Sequence, residues 1–268
     1  MKIGIIGGTG VYGLDILENA KDIQVDTAFG AAKVRVGEYR GEEIAFLARH
    51  GYSHSVLPHL INYKANIAAL KILGVTKVIS TCAVGTLNAD IHPGSFALLD
   101  QFIDFTKLRS YTYFHDTVAH VDFTNPYCKS LRNIILKAAA EENIVVSPKG
   151  CYGCTEGPRY ETTAEISMMK KLGVDVVGMT NVPEVILARE AELCYSCIAI
   201  ATNWAAGITE EPISHKDVDV LMKGSFADLK KLFIRTLDML ISDFNDCECN
   251  SLLADMKLEK GELIKFEK

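Results

Sequence analysis

Short apolar runs alternate with amphipathic stretches along most of the chain, and the spacing within each run names its element. Ile3 to Ile6 reads as a buried strand running into Gly7-Gly8-Thr9-Gly10. Val34 to Tyr39 and Ile44 to Ala48 flank Arg40-Gly41-Glu42 and predict a hairpin. Between Asn62 and Leu73, the residues Ala65, Ile67, Ala68, Leu70 and Ile72 recur at roughly helical spacing, and Gly74 closes the helix. Lys77 to Thr81 is strand-like and is followed by a predicted turn of small residues, Cys82-Ala83-Val84-Gly85-Thr86. Phe96 to Ile103 reads as one apolar strand. Leu131 to Glu142 predicts a helix and Ile144 to Ser147 an extended segment. Thr163 to Leu172 follows as a helix, Val174 to Val177 as a strand, Pro183 to Glu192 as a helix and Cys194 to Ala201 as a strand. Lys216 to Phe244 supplies one or two closing helices.

Strands alternating with helices across tight turns, with no linker, repeat or low-complexity segment, predict a single α/β domain over residues 1–245. A tail over 246–268 carries Cys247-Glu248-Cys249. Thr106 to Asn125 has no regular pattern and is long for a connection in a compact domain, which predicts a functional or interface loop.

Composition narrows the classes. The chain of 268 residues is 49% apolar and 23% charged, as in ordinary globular proteins. A net charge of −6 gives no reason to expect nucleic acid as a partner, since a phosphate-tracking surface would be basic. No apolar run approaches the roughly 20 residues of a membrane span. The start turns glycine-rich too early for a signal peptide, so a cytoplasmic protein is expected.

The 8 cysteines invite a metal reading, because Cys151-Tyr152-Gly153-Cys154 and Cys194-Tyr195-Ser196-Cys197 both have CxxC spacing. Against it, Cys194 and Cys197 open a strand, where side chains three apart point to opposite faces, and Cys154 runs straight into a turn. Small buried apolar residues are the expectation, with no metal. The Cys247–Cys249 pair could instead close a redox-labile bridge, a habit of intracellular proteins from hyperthermophiles.

Gly8-Thr9-Gly10-Val11-Tyr12-Gly13 fits GxGxxG, with Asp26 a candidate acidic partner, and at face value suggests NAD. A helix after these glycines could run only to about Ala20, short for a dinucleotide crossover. A nest of N–H groups with the Thr9 hydroxyl, holding one phosphate, is the more economical reading. Arg49-His50, with His54 close behind, brings charge and a planar donor fork. The Cys82-Ala83 turn and Thr180 could complete the cradle. Three later stretches carry other chemistry: Glu156-Gly157-Pro158-Arg159-Tyr160-Glu161-Thr162, Gly178-Met179-Thr180-Asn181-Val182-Pro183-Glu184, and Ala201-Thr202-Asn203-Trp204-Ala205. Each is placed at a strand–helix junction, where α/β sheets bind ligands. Together they offer an aromatic face, a carboxylate, a carboxamide and hydroxyls, which suit a heterocyclic base and a sugar.

From Ile3 to about Leu221 the chain resembles the trimeric purine nucleoside phosphorylase and methylthioadenosine phosphorylase family. The marks are Gly7-Gly8-Thr9-Gly10, Arg49-His50-Gly51, Asn62-Tyr63, Asp100-Gln101-Phe102-Ile103-Asp104, Glu156-Gly157-Pro158-Arg159 and Met179-Thr180-Asn181-Val182-Pro183-Glu184. The resemblance implies a mixed central β-sheet flanked by helices, and attack of inorganic phosphate on C1′ of a nucleoside. Phosphate is then a co-substrate, and no metal or organic cofactor is implied. It assigns phosphate to Thr9, Arg49, His50, Cys82, Ala83 and Thr180, with His54 a weaker addition. Cys82 departs from the Thr or Asn usual in relatives, which leaves the Ala83 amide as the firmer contact there. Tyr160 matches the residue stacking on the base and Met179 one lining the sugar, with Thr202 beside them. His120 matches a residue reaching into a neighbouring subunit's site, so a homotrimer, or a hexamer of two trimers, is implied.

Adenine-specific members place Asp where this chain has Asn203, and Ser where it has Glu161. An ionised Asp only accepts, whereas Asn also donates and can answer both O6 and a protonated N7 of a 6-oxopurine. Glu161 can accept from N1–H, which adenine lacks. His215 matches a position that is His in relatives handling a 5′-hydroxyl and apolar in those handling a 5′-methylthio group. The expectation is phosphorolysis of inosine and guanosine for purine salvage, with Asn203, Glu161 and His50 carrying the chemistry. Methylthioinosine phosphorylase is the nearest rival, methylthioadenosine phosphorylase ranks behind it, and an NAD-binding Rossmann protein is the remote alternative.

Overall fold

The computed structural model describes residues 2–8, 16–53, 55–210, 215–242, 247–254 and 264–267, with the backbone alone for 215–220 and 222–223. In chain order the first elements are β1 (Lys2–Gly7), β2 (Glu18–Thr27), β3 (Gly30–Tyr39), β4 (Glu42–Ala48), α1 (Tyr63–Ile72), β5 (Val75–Thr86), β6 (Phe96–Leu98) and β7 (Gln101–Asp104). Then come α2 (Lys129–Glu141), β8 (Val146–Ser147), β9 (Cys151–Cys154), α3 (Thr163–Lys171), β10 (Val176–Gly178), α4 (Asn181–Glu190), β11 (Cys194–Trp204) and α5 (His215–Ser242).

The strands form one mixed sheet in the order β2-β3-β4-β1-β5-β10-β9-β7, with β11 also pairing β5 and carrying β6 and β8. β5 is its centre. It runs parallel to β1 and β11 and meets β10 antiparallel at Gly85 and Thr86. Alternation along the strands assigns two cores. Ile3 and Ile5 of β1 and Ile198 and Ile200 of β11 pack with α2 and α5. On the other face, Ile6, Tyr195, Cys197 and Ala199 pack with α1 and α4. The fold is a single α/β domain with its sheet flanked by helices.

Four sequence expectations change. The segment before Ala20 is not a helix to that point: β2 begins at Glu18 as an antiparallel partner of β3, and Asp26 lies within it, paired with Ala31. Cys82–Thr86 is not a turn. Small residues there are what the crowded centre of the sheet requires, since β11 pairs the strand on one side through Thr86 and β10 on the other. A Cβ on Gly85 would meet Asn203 Nδ2 at 3.3 Å and Ala205 Cα at 3.4 Å. The strand expected from Phe96 to Ile103 breaks at Leu99–Asp100, because β6 pairs β11 and β8 while β7 changes partner to β9. The strand expected from Cys194 to Ala201 runs on to Trp204 as β11, which takes in Thr202 and Asn203. The hairpin around Arg40-Gly41 and the helices opening near Tyr63 and Thr163 are as expected. Asn62 and Thr162 cap those two helices, Thr162 in a reciprocal box with Glu165. Among the described residues, the closing helical stretch is the single helix α5, His215–Ser242.

Candidate active site

A cavity of about 420 Å³ opens where β1, β4 and β11 end. The ends of parallel strands are the expected place for a ligand in such a sheet. Its wall takes Gly8 from the end of β1, Arg49 and His50 from the end of β4, and Cys82 to Gly85 from β5. Opposite stand Pro158, Tyr160 and Glu161 from the β9–α3 loop, Val177 to Thr180 before α4, and Thr202, Asn203 and Ala205 at the end of β11. Ten of the residues singled out in the sequence therefore share one cavity: Arg49, His50, Cys82, Ala83, Tyr160, Glu161, Met179, Thr180, Thr202 and Asn203. Thr9 and His54 lie outside the described residues, and of His215 only the backbone, opening α5, is described. His120 is exposed on the long loop and does not line the cavity of its own chain.

At one end the groups suit an anion, but Arg49 is built in differently from the sequence reading. Its side chain is fully buried, and Nε and Nη2 form a bidentate pair with Glu184 at 2.6 and 2.7 Å. Nη1 donates to Thr81 O at 2.7 Å. Three of five guanidinium donors are thus committed, which leaves one N–H on each terminal nitrogen for a ligand. Burial disfavours the Arg49 charge, yet the Glu184 carboxylate more than offsets this and holds its pKa well above the ordinary value. Behind the pair, Tyr195 Oη donates to Glu184 at 2.7 Å and accepts from Asn181 Nδ2 at 3.0 Å, with Ser80 Oγ at 2.6 Å. Burial pushes the Tyr195 phenol well up, so it stays a donor. Tyr127 Oη closes the chain on Asn181 Oδ1 at 2.5 Å.

The neighbouring groups are fixed as firmly. Gly8 N–H donates to Thr81 Oγ1 at 3.1 Å, and a Cβ at Gly8 would sit 2.9 Å from Arg49 Nη1, so only glycine fits. His50 Nδ1 donates to the Val56 carbonyl at 2.8 Å, because a carbonyl can only accept, and this fixes the ring. The Cys82 thiol lies 3.5 Å from Cys197 Sγ; that contact and burial push its pKa well up, so it is a neutral, inward-facing group. The first N–H groups of α4 are taken by Tyr152 Oη, at 3.1 Å from Thr180 N and 3.5 Å from Asn181 N. Thr180 is the N-cap residue yet makes no side-chain cap bond among the described residues, so its hydroxyl is not spent on the helix.

The other end presents an amide and a carboxylate. Where β11 pairs β5, Ala201 faces Val84 and Asn203 faces Gly85, so Thr202 is the extra residue of a bulge. Bulges re-aim side chains, and here both Thr202 and Asn203 reach the cavity. Asn203 Nδ2 donates to Trp204 O at 2.8 Å and Oδ1 accepts from Thr202 Oγ1 at 2.9 Å, which fixes which way the amide faces. Glu161 is 8% exposed and accepts from Thr155 Oγ1 at 2.6 Å. It stands before the Thr162 cap, so it takes no part in starting α3. Tyr160 is 42% exposed at the mouth. Gly157 has φ +67°, and a Cβ there would lie 2.5 Å from Met179 Sδ, so glycine is needed twice over to let Met179 approach.

The loop from Thr106 to Asn125 is irregular as expected, and Glu156 ties it to the site. Its carboxylate accepts from Lys107 N, Leu108 N and Arg109 Nε at 2.8, 3.2 and 2.9 Å. Burial opposes the Glu156 charge, but these bonds outweigh it and lower its pKa. Arg109 continues inward to Val182 O at 2.6 Å and Glu156 O at 2.9 Å. Sequence reasoning gave Glu184, Tyr195 and Arg109 no role. A signal for Glu184 was present: α4 buries nine of its ten residues, so a charge placed in it has to find a partner inside.

The chain is similar to known proteins along nearly its whole length. The Phosphorylase superfamily profile matches residues 2–238. A Dictyoglomus turgidum protein named probable 6-oxopurine nucleoside phosphorylase is 51% identical over 264 residues, covering 97% of this chain and 99% of the relative. An S-methyl-5′-thioadenosine phosphorylase of Thermofilum pendens is 43% identical over 255 residues, covering 93% and 95%. Among solved structures, methylthioadenosine phosphorylase from Schistosoma mansoni in complex with adenine superposes with a TM-score of 0.87 at 31% identity, covering 95% of this chain and 96% of that one. A shared fold and matches along nearly the whole length lead to one conclusion: the chain belongs to the phosphorylase superfamily.

Proposed function

We propose that this protein is a 6-oxopurine nucleoside phosphorylase that cleaves inosine and guanosine with inorganic phosphate. The observation that carries the reading is the pairing, in one cavity, of an anion end around Arg49, His50, Ala83 and Thr180 with a base end that holds Asn203 and Glu161. A phosphate oxygen forms the new bond to C1′ as the C1′–N9 bond breaks, giving ribose 1-phosphate and the purine. The bonding pair leaves with the base, which takes at N7 a proton that the hydrogen phosphate gives up, through solvent, as it becomes the phosphate ester dianion. Asn203 Oδ1 accepts from N7–H and the second N–H of Nδ2 donates to O6, while Glu161 Oε2 accepts from N1–H. The ring of Tyr160 stacks on the base and Met179 borders the sugar. No protein nucleophile, metal or organic cofactor takes part, and positioning supplies much of the rate. The 51% relative is named for 6-oxopurine nucleosides and the 43% relative for methylthioadenosine, which supports the same ranking.

The self-association that His120 implies, a trimer or a pair of trimers, belongs to this reading. Leu108, Tyr111 and Val118 on the same loop are exposed apolar side chains, which supports a subunit contact there. Purine salvage in the cytoplasm is the corresponding cellular role. A second reading, methylthioinosine as substrate, draws on the apolar Val56, Leu57 and Pro58 in the cavity wall.

Phosphate-dependent cleavage of inosine, guanosine, adenosine, methylthioinosine and methylthioadenosine, run side by side, tests the proposal. Preference for inosine and guanosine is expected. Preference for methylthioinosine would keep the base pocket and move the second reading to first place. Cleavage of adenosine or methylthioadenosine ahead of both oxopurines would overturn the assignment of Asn203 and Glu161.

A further inference from the structure

Far from the cavity, four cysteines meet. The Sγ atoms of Cys128, Cys194, Cys247 and Cys249 all lie within 4.8 Å of one another. Cys247 is 3.1 Å from Cys194 and 3.7 Å from Cys128, sulfur to sulfur. They come from three parts of the fold. Cys128 is the N-cap residue of α2, Cys194 is the first residue of β11, and Cys247 and Cys249 bracket the start of a 3₁₀ turn over Glu248–Ser251. Neither CxxC pair of the sequence is the unit: Cys197 points to the opposite face of the sheet, against Cys82, and Cys151 and Cys154 lie on β9.

We propose that these four thiols form a closed, tetrahedral structural site for a zinc ion. A zinc–sulfur bond of about 2.3 Å places the sulfurs of a tetrahedral thiolate site roughly 3.8 Å from one another. The separations in this cluster bracket that spacing. Cys128 Sγ already accepts an N–H, from Leu131 at 3.4 Å, at the positive end of α2, an environment that favours a thiolate. Binding releases the four thiol protons to solvent and forms four zinc–sulfur bonds, with no change of oxidation state.

The site would act on architecture. Cys194 and Asn203 lie nine residues apart on the same strand, roughly 30 Å at strand rise, so an ion held by Cys194 is remote from the proposed chemistry. What it joins is the chain after α5 to the body of the domain. The 3₁₀ turn leads to Leu253, whose N–H is bonded to Glu192 at 3.0 Å. Ile264 and Phe266 then pack on the α1/α4 side, with Phe266 O accepting from Ala28 N at 2.8 Å.

The test is metal content of the full chain, purified under reductant with zinc supplied and then desalted. About one zinc per chain is expected by elemental analysis, falling below roughly one tenth in Cys247→Ser, a half-buried position chosen so that folding survives. Cys151→Ser, outside the cluster, keeps full occupancy. Cobalt added to the metal-stripped, reduced chain should give the intense visible bands of a tetrahedral thiolate complex, lost in Cys247→Ser and restored in part by Cys247→His. Chelation should lower the melting temperature and leave phosphorolysis at moderate temperature intact. A reduced wild-type chain that takes up neither zinc nor cobalt would overturn the proposal. So would a native chain lighter by two hydrogens per bridge, with these thiols recovered only by reductant, since that would make the cluster a set of disulfides.

Discussion

Glu184→Gln tests the electrostatic frame of the anion end. The substitution keeps the shape of the side chain and replaces one of the two accepting oxygens by an NH₂ group. Arg49 and Glu184 have side chains 0% and 1% exposed, joined by two bonds of 2.6 and 2.7 Å, and Tyr195 adds a third at 2.7 Å. Removing one partner of such a pair leaves an uncompensated buried charge and costs about 3–5 kcal/mol. For a chain of this size that corresponds to a melting temperature lower by roughly 6–20 °C. The same network predicts non-additivity. Arg49→Met with Glu184→Met leaves no orphaned charge, so the double variant should cost at least about 1 kcal/mol less than the sum of the singles. The assay is equilibrium urea unfolding at fixed protein concentration, followed by the fluorescence of Trp204, the sole tryptophan. Phosphate saturation kinetics accompany it, and KM for phosphate should move more than KM for inosine. A loss below about 1 kcal/mol for Glu184→Gln, or additive singles, would refute the reasoning.

Other expectations follow from neighbouring residues. On the proposed base contact, Asn203→Asp loses the donor to O6, so kcat/KM for inosine should fall by roughly 5- to 150-fold, the kinetic equivalent of about 1–3 kcal/mol; equal activity would remove Asn203 from base recognition. Glu156 has a lowered pKa in the fold, so its stabilisation is full above the ordinary carboxylate value of 4.5 and is lost as pH falls through the folded value. Melting curves of Glu156→Gln should therefore converge with wild type on the acid side and lie below it near neutrality, and parallel curves throughout would count against the Glu156 tether. If His120 serves a neighbouring subunit, mixing inactive His120→Ala and Asn203→Ala chains should restore part of the activity after subunit exchange. A monomer by sedimentation would end that idea.

How much was legible depended on whether local chemistry and tertiary environment agreed. α1 and α3 announce themselves through Asn62 and Thr162, whose side chains cap their own helices. The cavity residues were legible as a set because they sit in short motifs at the ends of strands. β2 was not, because Glu18-Asn19-Ala20-Lys21-Asp22 is polar and exposed on an edge strand, so no apolar alternation marks it. Cys82 to Thr86 looked like a turn because small residues serve turns and crowded sheet centres equally well. The Arg49–Glu184 pair spans 135 positions and the Cys128–Cys247 contact spans 119. No short-range pattern encodes such distances, and only the fold brings the partners together.

That β5 is one uninterrupted strand has a consequence for how this scaffold can change. Ala83 stands by the anion end and Gly85 lies against Asn203 at the base end, both on one strand that pairs β11 along this stretch, with β10 joining at Gly85 and Thr86. The strand works as a ruler: its roughly 3.3 Å per residue sets the span between the proposed anion and base ends, and no side-chain replacement can stretch it. Selection for a different nucleoside then has to work at the two ends of the ruler, through the tip of β11 and the loops before α3 and α4. A lineage can exchange one purine for another while the distance the reaction must cross stays fixed.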